Sequence, residues 1–325
     1  MKKIFVTGVT GFIGSHLAQE LIKKGHDVSV FLKYSTSRNM QMLEPFLKGA
    51  KLYYGDLADY HSTEDVLRLV KPDVVMHLAA LSPVRDSFEK PFPFVQNNVV
   101  ATLNIAHAML KLPDFKKKKL VYASTAEVYG IQEKQPIVET AILNPSSPYA
   151  NTKAMTDTYL RMMASVYGLN VTIMRNTNTF GRKLDTGFFV EYVITAMLKG
   201  ETVYVGAPDS IREYMYVSDH IDSYIKAMEH FEISGEAFNV GPGTNKGITN
   251  KEITLKIAEM TGFDKKKIIF GKYPPGYPLR PIESDQPFII LDVTKIKKML
   301  GWSPKVSLEE GLAKSIAYWK EKLKK

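Results

Sequence analysis

The stretch Lys3–Gly14, KIFVTGVTGFIG, decides the fold. Its apolar beginning predicts a strand, and the residues that follow predict a helix over Ser15–Lys24. Between the two, Gly8, Gly11 and Gly14 have the spacing G-x-x-G-x-x-G. Glycines in such a turn permit a tight bend and close approach of the backbone to a pyrophosphate, whose charge faces the helix N–H groups. The stretch therefore predicts the first strand, turn and helix of a dinucleotide-binding sheet.

The alternation of strand and helix continues through the first half of the chain. The apolar runs DVSVFL, KLYYGD, DVVMHLAA, KLVYAS and NVTIMRN are separated by amphipathic segments. The longest of these segments predict helices over Phe92–Leu110 and Tyr149–Tyr167. Such alternation predicts parallel βαβ units, and apolar strands predict helices on both faces of the sheet. We expect an α/β fold with a doubly wound, Rossmann-like parallel sheet.

After about Asn176 the pattern changes to Gly-, Pro- and Tyr-rich segments such as KYPPGYPLRP. We predict a smaller, interleaved C-terminal α/β lobe there. The predicted dinucleotide-binding domain spans 1–175. Residues 217–241 return to it, because GEAFNVG predicts another strand of the main sheet. The predicted substrate-binding lobe comprises 176–216 and 242–325.

The composition argues against several classes of protein. The chain has 325 residues, 45% of them hydrophobic and 24% charged, as is typical of globular proteins. The absence of cysteine excludes disulfides and thiolate metal sites, and the seven scattered histidines predict no metal site. A net charge of +9 favours anionic substrates, but no nucleic-acid-binding motif is present, so we expect no nucleic-acid partner. With no long apolar window and no signal sequence, we expect a cytoplasmic protein without a membrane partner.

The end of the second predicted strand bears on the choice of cofactor. An acidic residue there would bind the ribose hydroxyls of NAD. The sequence instead continues with Lys33, several hydroxyl residues including Ser35, and Arg38. This set suits a 2′-phosphate and favours NADP; the alternative is a solvated basic loop beside an NAD site. Asp56, after the third strand, is a candidate to bind adenine, or a turn aspartate.

Candidate catalytic residues follow the fifth predicted strand. The stretch Ala123–Gly130, ASTAEVYG, places Thr125 and Glu127 at the carboxyl end of a strand, where open α/β sheets bind ligands. Tyr149 and Lys153, in SPYANTK, lie one turn apart on one helical face. The lysine ammonium would lower the pKa of Tyr149, and a hydroxyl such as Thr125 would share the tyrosine proton. We predict that these side chains form an acid–base site.

The motifs TGVTGFIG, YGDL, HLAA, STAEVYG, SPYANTK and LGWSPKVSLEEGL occur in this order. In this combination, over essentially its whole length, the sequence resembles the extended short-chain dehydrogenases/reductases, in their nucleotide-sugar epimerase and dehydratase group. The resemblance implies a nicotinamide cofactor that takes hydride from C4 of a nucleoside-diphosphate hexose. Tyr149 would take the 4-hydroxyl proton, and Lys153 would hold the nicotinamide ribose. It also implies a homodimer through the helices Phe92–Leu110 and Tyr149–Tyr167.

The resemblance extends to further binding residues. Those expected at the cofactor are Gly8, Thr10, Gly11, Phe12, Ile13, Gly14, Lys33, Ser35, Arg38, Asp56, Leu57, Ala79, Ala80, Tyr149 and Lys153. Those expected at the substrate are Ser82, Thr125, Asn178, Arg212 and Arg280. Arginine suits a diphosphate because its fork pairs two oxygens, although a surface salt bridge is the alternative for each arginine.

Glu127 bears on the reaction. After oxidation at C4 the C5 hydrogen becomes acidic, and a carboxylate beside it can remove it; loss of the 6-hydroxyl then completes a 4,6-dehydration. Dehydratases resemble this chain at Glu127, and Leu279–Asp292 resembles the GDP-mannose 4,6-dehydratases. Ala126 stands where many dehydratases carry an aspartate, so Glu127 would serve both roles. The alternatives are a 4-epimerase of the UDP-glucose type, a decarboxylase or reductase, a non-catalytic NADP-binding protein and, for Glu127, a structural carboxylate.

Overall fold

The computed structural model of the chain describes residues 1–33, 47–183, 185–277, 281 and 284–324. The strands within these residues are β1 (Lys3–Thr7), β2 (Asp27–Leu32), β3 (Lys51–Tyr54), β4 (Val74–His77), β5 (Lys119–Thr125), β6 (Asn170–Asn176), β7 (Asn178–Phe180), β8 (Val203–Val205), β9 (Ile211–Arg212), β10 (Tyr214–Tyr216), β11 (Glu236–Val240), β12 (Ile248–Thr249) and β13 (Ile268–Phe270).

Seven of these described strands form one parallel sheet in the order β3-β2-β1-β4-β5-β6-β11. The order reverses between β1 and β4, which is the switch point where doubly wound sheets open a ligand crevice. Strand β6 is buried along its whole length, as expected when helices cover both faces. The predicted doubly wound fold is confirmed. At the edge of the sheet, β11 pairs with β6 from Glu236 opposite Thr172 to Val240 opposite Asn176.

The described helices are α1 (Phe12–Lys23), α2 (Tyr60–Val70), α3 (Val84–Glu89), α4 (Pro91–Phe94), α5 (Ala101–Leu110), α6 (Pro148–Tyr167), α7 (Phe189–Leu198), α8 (Val217–Glu229), α9 (Asn250–Thr261), α10 (Thr294–Leu300) and α11 (Leu308–Lys322). Helices α1, α8 and α10 pack on one face of the sheet, and α2, α5 and α6 on the other. The predicted helix over Phe92–Leu110 is interrupted by a π-helical segment, Val95–Val100, between α4 and α5.

Segments that follow β6 form a further hydrophobic cluster, separate from those on the two faces of the sheet, around α7, α9 and α11. Short strand pairs border it: β7 with β10 and β8 with β13 are parallel, and β9 with β12 is antiparallel. Only Thr177 separates β6 from β7, so this region begins at the carboxyl end of the main sheet. The use of 176–216 and 242–325 as a substrate lobe stays a prediction.

Candidate active site

The turn between β1 and α1 is packed tightly against the loop that follows β4. Gly8 has a φ of +75°, and a Cβ on it would lie 2.6 Å from the backbone nitrogen of Ala79. A Cβ on Gly14 would lie 2.2 Å from the Gly8 carbonyl oxygen. Both contacts are with backbone atoms, so neither position accepts a side chain without moving the chain. The glycine spacing therefore shapes the turn at the switch point of the sheet.

The N-terminus of α1 opens from this turn. Its N-cap is Gly11, which has no side chain that could accept a hydrogen bond from the first helical N–H groups. The N–H groups of Phe12, Ile13 and Gly14 precede the first intrahelical bond, which Ser15 N donates to Gly11 O at 3.1 Å. Donors of this kind, together with the helix dipole, attract anionic oxygens. The turn and helix end thus fit the pyrophosphate of a dinucleotide.

The ends of β2 and β3 meet beside this turn. Lys33 Nζ lies 3.4 Å from Asp56 Oδ2 and donates to Asn97 Oδ1 at 3.0 Å. The second oxygen of Asp56 accepts a hydrogen bond from Ala58 N at 2.9 Å. Asp56 is therefore a turn aspartate that pairs with Lys33, and any role at adenine would be in addition to these bonds. The predicted cofactor residues Ser35 and Arg38 lie outside the described residues.

An asparagine that the sequence analysis did not single out holds the loop after β4. Asn98 Oδ1 accepts a hydrogen bond from Leu81 N at 2.8 Å, and its Nδ2 donates to Leu81 O and to Thr152 Oγ1, each at 3.0 Å. The side chain is buried and belongs to the π-helical segment. Such segments are frequent at functional sites. The sequence signal that could have indicated this role is the pair Asn97 and Asn98 within a mainly apolar helical segment.

Tyr149 stands in the first turn of α6. Ser147 is the N-cap of this helix, and its hydroxyl accepts a hydrogen bond from Ala150 N at 3.1 Å. Tyr149 N donates to Ser87 Oγ at 3.1 Å, which ties the beginning of α6 to α3. These bonds fix the backbone that carries the tyrosine.

The structure brings Tyr149, Thr125 and Glu127 together. A side-chain hydrogen bond joins Thr125 to Tyr149, and Thr125 Oγ1 also accepts from Glu127 N at 3.3 Å. Glu127 lies in the 3₁₀ turn Ala126–Tyr129. Burial and the nearby negative charge of Glu127 raise the pKa of Tyr149, and the bond to Thr125 opposes this rise. The arrangement can share a proton between the tyrosine and threonine hydroxyls, with a carboxylate close enough to influence the tyrosine.

Lys153 lies one turn further along α6 and is buried. Its Nζ donates to Ala123 O at 2.7 Å and lies 4.8 Å from the centre of the Tyr122 ring. Burial lowers the pKa of Lys153 to about 7. The expectation that the lysine ammonium and an oxidised nicotinamide lower the pKa of Tyr149 stays a prediction; in this structure burial and Glu127 raise that pKa.

The residues expected at a substrate diphosphate lie on the short strands of the second lobe. Asn178 in β7 is exposed and is paired with Tyr214 of β10. Arg212 is half-buried, and its guanidinium donates to Ile211 O at 2.8 Å and to Asp285 Oδ1 at 3.4 Å. It borders a cavity of about 350 Å³ whose lining also includes basic residues, Lys246 and Lys305. Arg280 lies outside the described residues.

The remaining predicted residues flank the crevice at the switch point. Leu57 is buried in the core, and Ala79 N donates to Thr7 Oγ1 at 3.1 Å. The residues with partly or fully exposed side chains are Thr10, Ala79, Ala80 and Ser82. In the described part of the chain, no group of three or more histidine, aspartate or glutamate side chains is placed to hold a metal ion. No described helix combines the length and apolar character needed to cross a membrane.

Comparison with known proteins gives matches along nearly the whole chain. The family model for GDP-mannose 4,6 dehydratase matches residues 5–315. The UDP-N-acetyl-alpha-D-glucosaminuronate decarboxylase of Bacillus cytotoxicus is 33% identical, over 98% of each chain. The UDP-glucose 4-epimerase of Thermotoga maritima, solved with UDP-glucose, is 34% identical with a TM-score of 0.85 over 98% of this chain and 99% of its own. The dTDP-glucose 4,6-dehydratase of Streptomyces venezuelae, solved with NAD, is 28% identical with a TM-score of 0.86 over 98% and 97%.

These relatives catalyse different reactions on nucleotide sugars and share one fold. The matches cover the glycine turn, the main sheet and the segments that carry the predicted site residues, since they extend over nearly the whole chain. The chain therefore belongs to the GDP-mannose 4,6 dehydratase family, the nucleotide-sugar epimerases and dehydratases among the extended short-chain dehydrogenases/reductases.

Proposed function

We propose that the protein is a 4,6-dehydratase of a nucleoside-diphosphate hexose, acting through transient oxidation at C4. The observation that carries this proposal is the position of Glu127, in the turn that follows Thr125, with its carboxylate close enough to Tyr149 to raise the pKa of that tyrosine. A base at this place can reach the carbon next to the one that Tyr149 serves. An enzyme that only inverts C4 has no proton to remove from C5, so a carboxylate here favours dehydration.

Each step assigns a proton to a residue of this chain. A nicotinamide in the crevice would accept hydride from C4 and return it at C6. Tyr149 takes the proton of the 4-hydroxyl, with Thr125 sharing it through their hydrogen bond. Glu127 then removes the C5 proton, which the new C4 ketone has made acidic. Because Ala126 has no acidic group, Glu127 also returns this proton to the departing 6-hydroxyl, which leaves as water. When hydride returns to C6, C5 takes a new proton from solvent, and Tyr149 releases the proton of the 4-hydroxyl to solvent.

The test of this reaction is a panel of GDP-, UDP-, dTDP- and CDP-hexoses incubated with the enzyme in deuterated water. Mass spectrometry should find loss of water with deuterium at C5. We expect Glu127→Gln to keep reduction of the bound cofactor by substrate and to lose formation of product by about 100-fold or more, as for a removed general base. Glu133→Gln, an exposed carboxylate further along the same loop, is the matched control and should retain full activity.

A 4-epimerase is the second candidate, and one observation favours it. Residue 126 is an alanine, so this position offers no acid for a leaving hydroxyl. The similar protein of Thermotoga maritima is an epimerase solved with UDP-glucose. An isomeric product without deuterium at carbon would establish this reaction and make Glu127 a positioning residue.

For the cofactor we propose NADP. The second strand ends without a carboxylate and continues with Lys33, which suits a 2′-phosphate. Lys33 already faces Asp56, so the phosphate competes with that carboxylate and the preference over NAD is modest. Lys33→Ala should weaken NADP binding by about tenfold, as expected for one charged hydrogen bond, and leave NAD binding unchanged. Titration calorimetry measures the affinity for both dinucleotides. Equal losses of affinity for NADP and NAD would refute the preference.

We also propose that the protein is a homodimer. Large apolar side chains lie exposed on α4, the π-helical segment and α6, which pack beside one another. They are Phe92, Val95, Met155, Val166 and Tyr167. A second copy that covers these neighbouring helices would remove the side chains from water, and exposed apolar surface of this kind commonly marks an interface.

A further inference from the structure

A buried ion pair joins α6 to β6 behind the candidate catalytic residues. Arg175 Nε donates to Asp157 Oδ2 at 2.9 Å, and Arg175 NH2 donates to Asp157 Oδ1 at 2.8 Å. Neither side chain is exposed to solvent. Two parallel bonds of this kind fix the orientation of both partners as well as their distance.

The same pair holds the catalytic segment 125–128 from both ends. Ser124, immediately before this segment, donates its hydroxyl to Asp157 Oδ2 at 3.1 Å. Tyr129, immediately after it, accepts a hydrogen bond from Arg175 NH1 at 2.9 Å. The Tyr129 hydroxyl donates onward to Asn239 Oδ1 in β11 at 2.6 Å. Both flanks of the segment are thus tied to one rigid pair.

The pair also fixes the helix that carries the other half of the site. Asp157 follows Lys153 by four residues and Tyr149 by eight, so all three lie on one face of α6. The hydrogen bonds that Asp157 makes with Ser124 and Arg175 therefore set the distance between the end of β5 and this face of α6. A change of about 1 Å in such a distance is enough to slow a reaction by about 100-fold.

Stability alone does not account for the pair. Taking two charges out of water is costly, and apolar replacements of similar size are often as stable or more stable. Every side-chain partner described for this pair lies on an element that carries or flanks the site. We propose that Asp157 and Arg175 are positioning residues that hold Thr125 and Glu127 against Tyr149. The inference rests on the proposed function and deepens it.

The variants Ser124→Ala and Tyr129→Phe test the proposal, since each removes one link and leaves the ion pair intact. We expect kcat to fall by about 10- to 100-fold while KM for the nucleotide sugar changes by less than about threefold. The combined variant Asp157→Leu with Arg175→Met leaves no unpaired charge, and we expect it likewise to lower kcat with little change in KM. The control is Thr172→Val, which removes a buried hydroxyl from the far end of β6.

Hydrogen exchange supplies a readout that does not depend on turnover. In the link variants, amide protons of a peptide covering 124–130 should exchange faster than in the parent protein, whereas those of Thr172→Val should not. If the parent protein turns over no nucleotide sugar, the proposed function fails and this exchange still decides whether the segment is held. Unchanged exchange, or unchanged kcat in an active enzyme, would overturn the positioning role.

Discussion

At the scale of single residues, Tyr149 depends on charges around it. Burial and Glu127 raise its pKa, so the tyrosine remains protonated at neutral pH in the protein without ligands. Lys153 is buried with its Nζ directed to the carbonyl of Ala123. The negative charge of a nearby carboxylate disfavours the deprotonated form of the tyrosine, which is the form that acts as a base. Positive charge bound in the crevice would offset this effect and lower the pKa of Tyr149.

The turn glycines lead to a prediction about Gly14→Ala. The added methyl group would lie 2.2 Å from the Gly8 carbonyl oxygen, a backbone atom that has no rotamer to change. We expect the free energy of unfolding to fall by about 1–3 kcal/mol, as for overpacked sites, and dinucleotide affinity to be lost. Urea unfolding and calorimetry measure the two effects.

Gly11→Ala is the comparison for this variant. Its Cβ would lie 3.2 Å from the same oxygen, so a small shift accommodates it, and its loss of stability should be clearly smaller. Equal losses in the two variants would contradict the role assigned to the close contact at Gly14.

At the scale of elements, β5 differs at its two ends. Its carboxyl end carries Thr125, whereas its first residue, Lys119, is completely buried. The Lys119 ammonium donates to the carbonyl of His230 and lies 5.6 Å from the centre of the Phe231 ring. Burial lowers the pKa of Lys119 to about 7. The strand therefore begins with a lysine whose charged form is destabilised by burial.

Lys119→Met should make stability less dependent on pH. Between about pH 7 and the normal lysine pKa near 10.5, the unfolded chain binds a proton at Lys119 that the folded chain does not. Stability of the parent protein therefore rises with pH through this window, and the lysine contributes no such slope once it is replaced. Urea unfolding from pH 7 to pH 10 tests this. A slope that is the same in both proteins would contradict it.

Local patterns were sufficient to predict much of the architecture. The glycine turn, the main strands and the shared face of Tyr149 and Lys153 depend on neighbours in the sequence, and the structure has them where the patterns predicted. The π-helical segment around Asn98 was not predicted, because it depends on tertiary bonds to Leu81 and Thr152.

The buried ion pair could not be predicted for a similar reason. Asp157 lies in an ordinary helical position, and Arg175 in an apolar strand, and only the packing of α6 on the sheet brings them together. Pairings of two or three residues, such as β9 with β12, are likewise too short to leave a periodic signal.

At the scale of the whole molecule, the main sheet and the segments after β6 are joined at Thr177, among other places. Only Thr177 separates β6 from β7, and the Thr177 hydroxyl donates to the carbonyl of Glu213 at 3.1 Å. The buried Glu213 carboxylate accepts a hydrogen bond from Leu291 N at 2.8 Å, and burial raises its pKa to about 7. These bonds connect the carboxyl end of β6 to the segments around Glu213 and Leu291.

The proposed dimer gives a prediction at this scale. Placing charges on its surface with Phe92→Asp and Val166→Asp should convert the protein to monomers, because both side chains are largely exposed in one chain and would be buried in the pair. Analytical ultracentrifugation measures the change. Ile142→Asp, at an exposed apolar residue outside these helices, is the control and should leave the mass unchanged. A monomeric parent protein would refute the dimer.

The late position of β11 has a consequence for synthesis of the protein. On the ribosome, β1 to β6 emerge first, and β6 remains an open edge until residues 236–240 follow. An open edge presents unpaired backbone groups that can pair with another chain. The nascent sheet is thus vulnerable while the intervening segments are made, and the main sheet is completed only when most of the polypeptide has been translated.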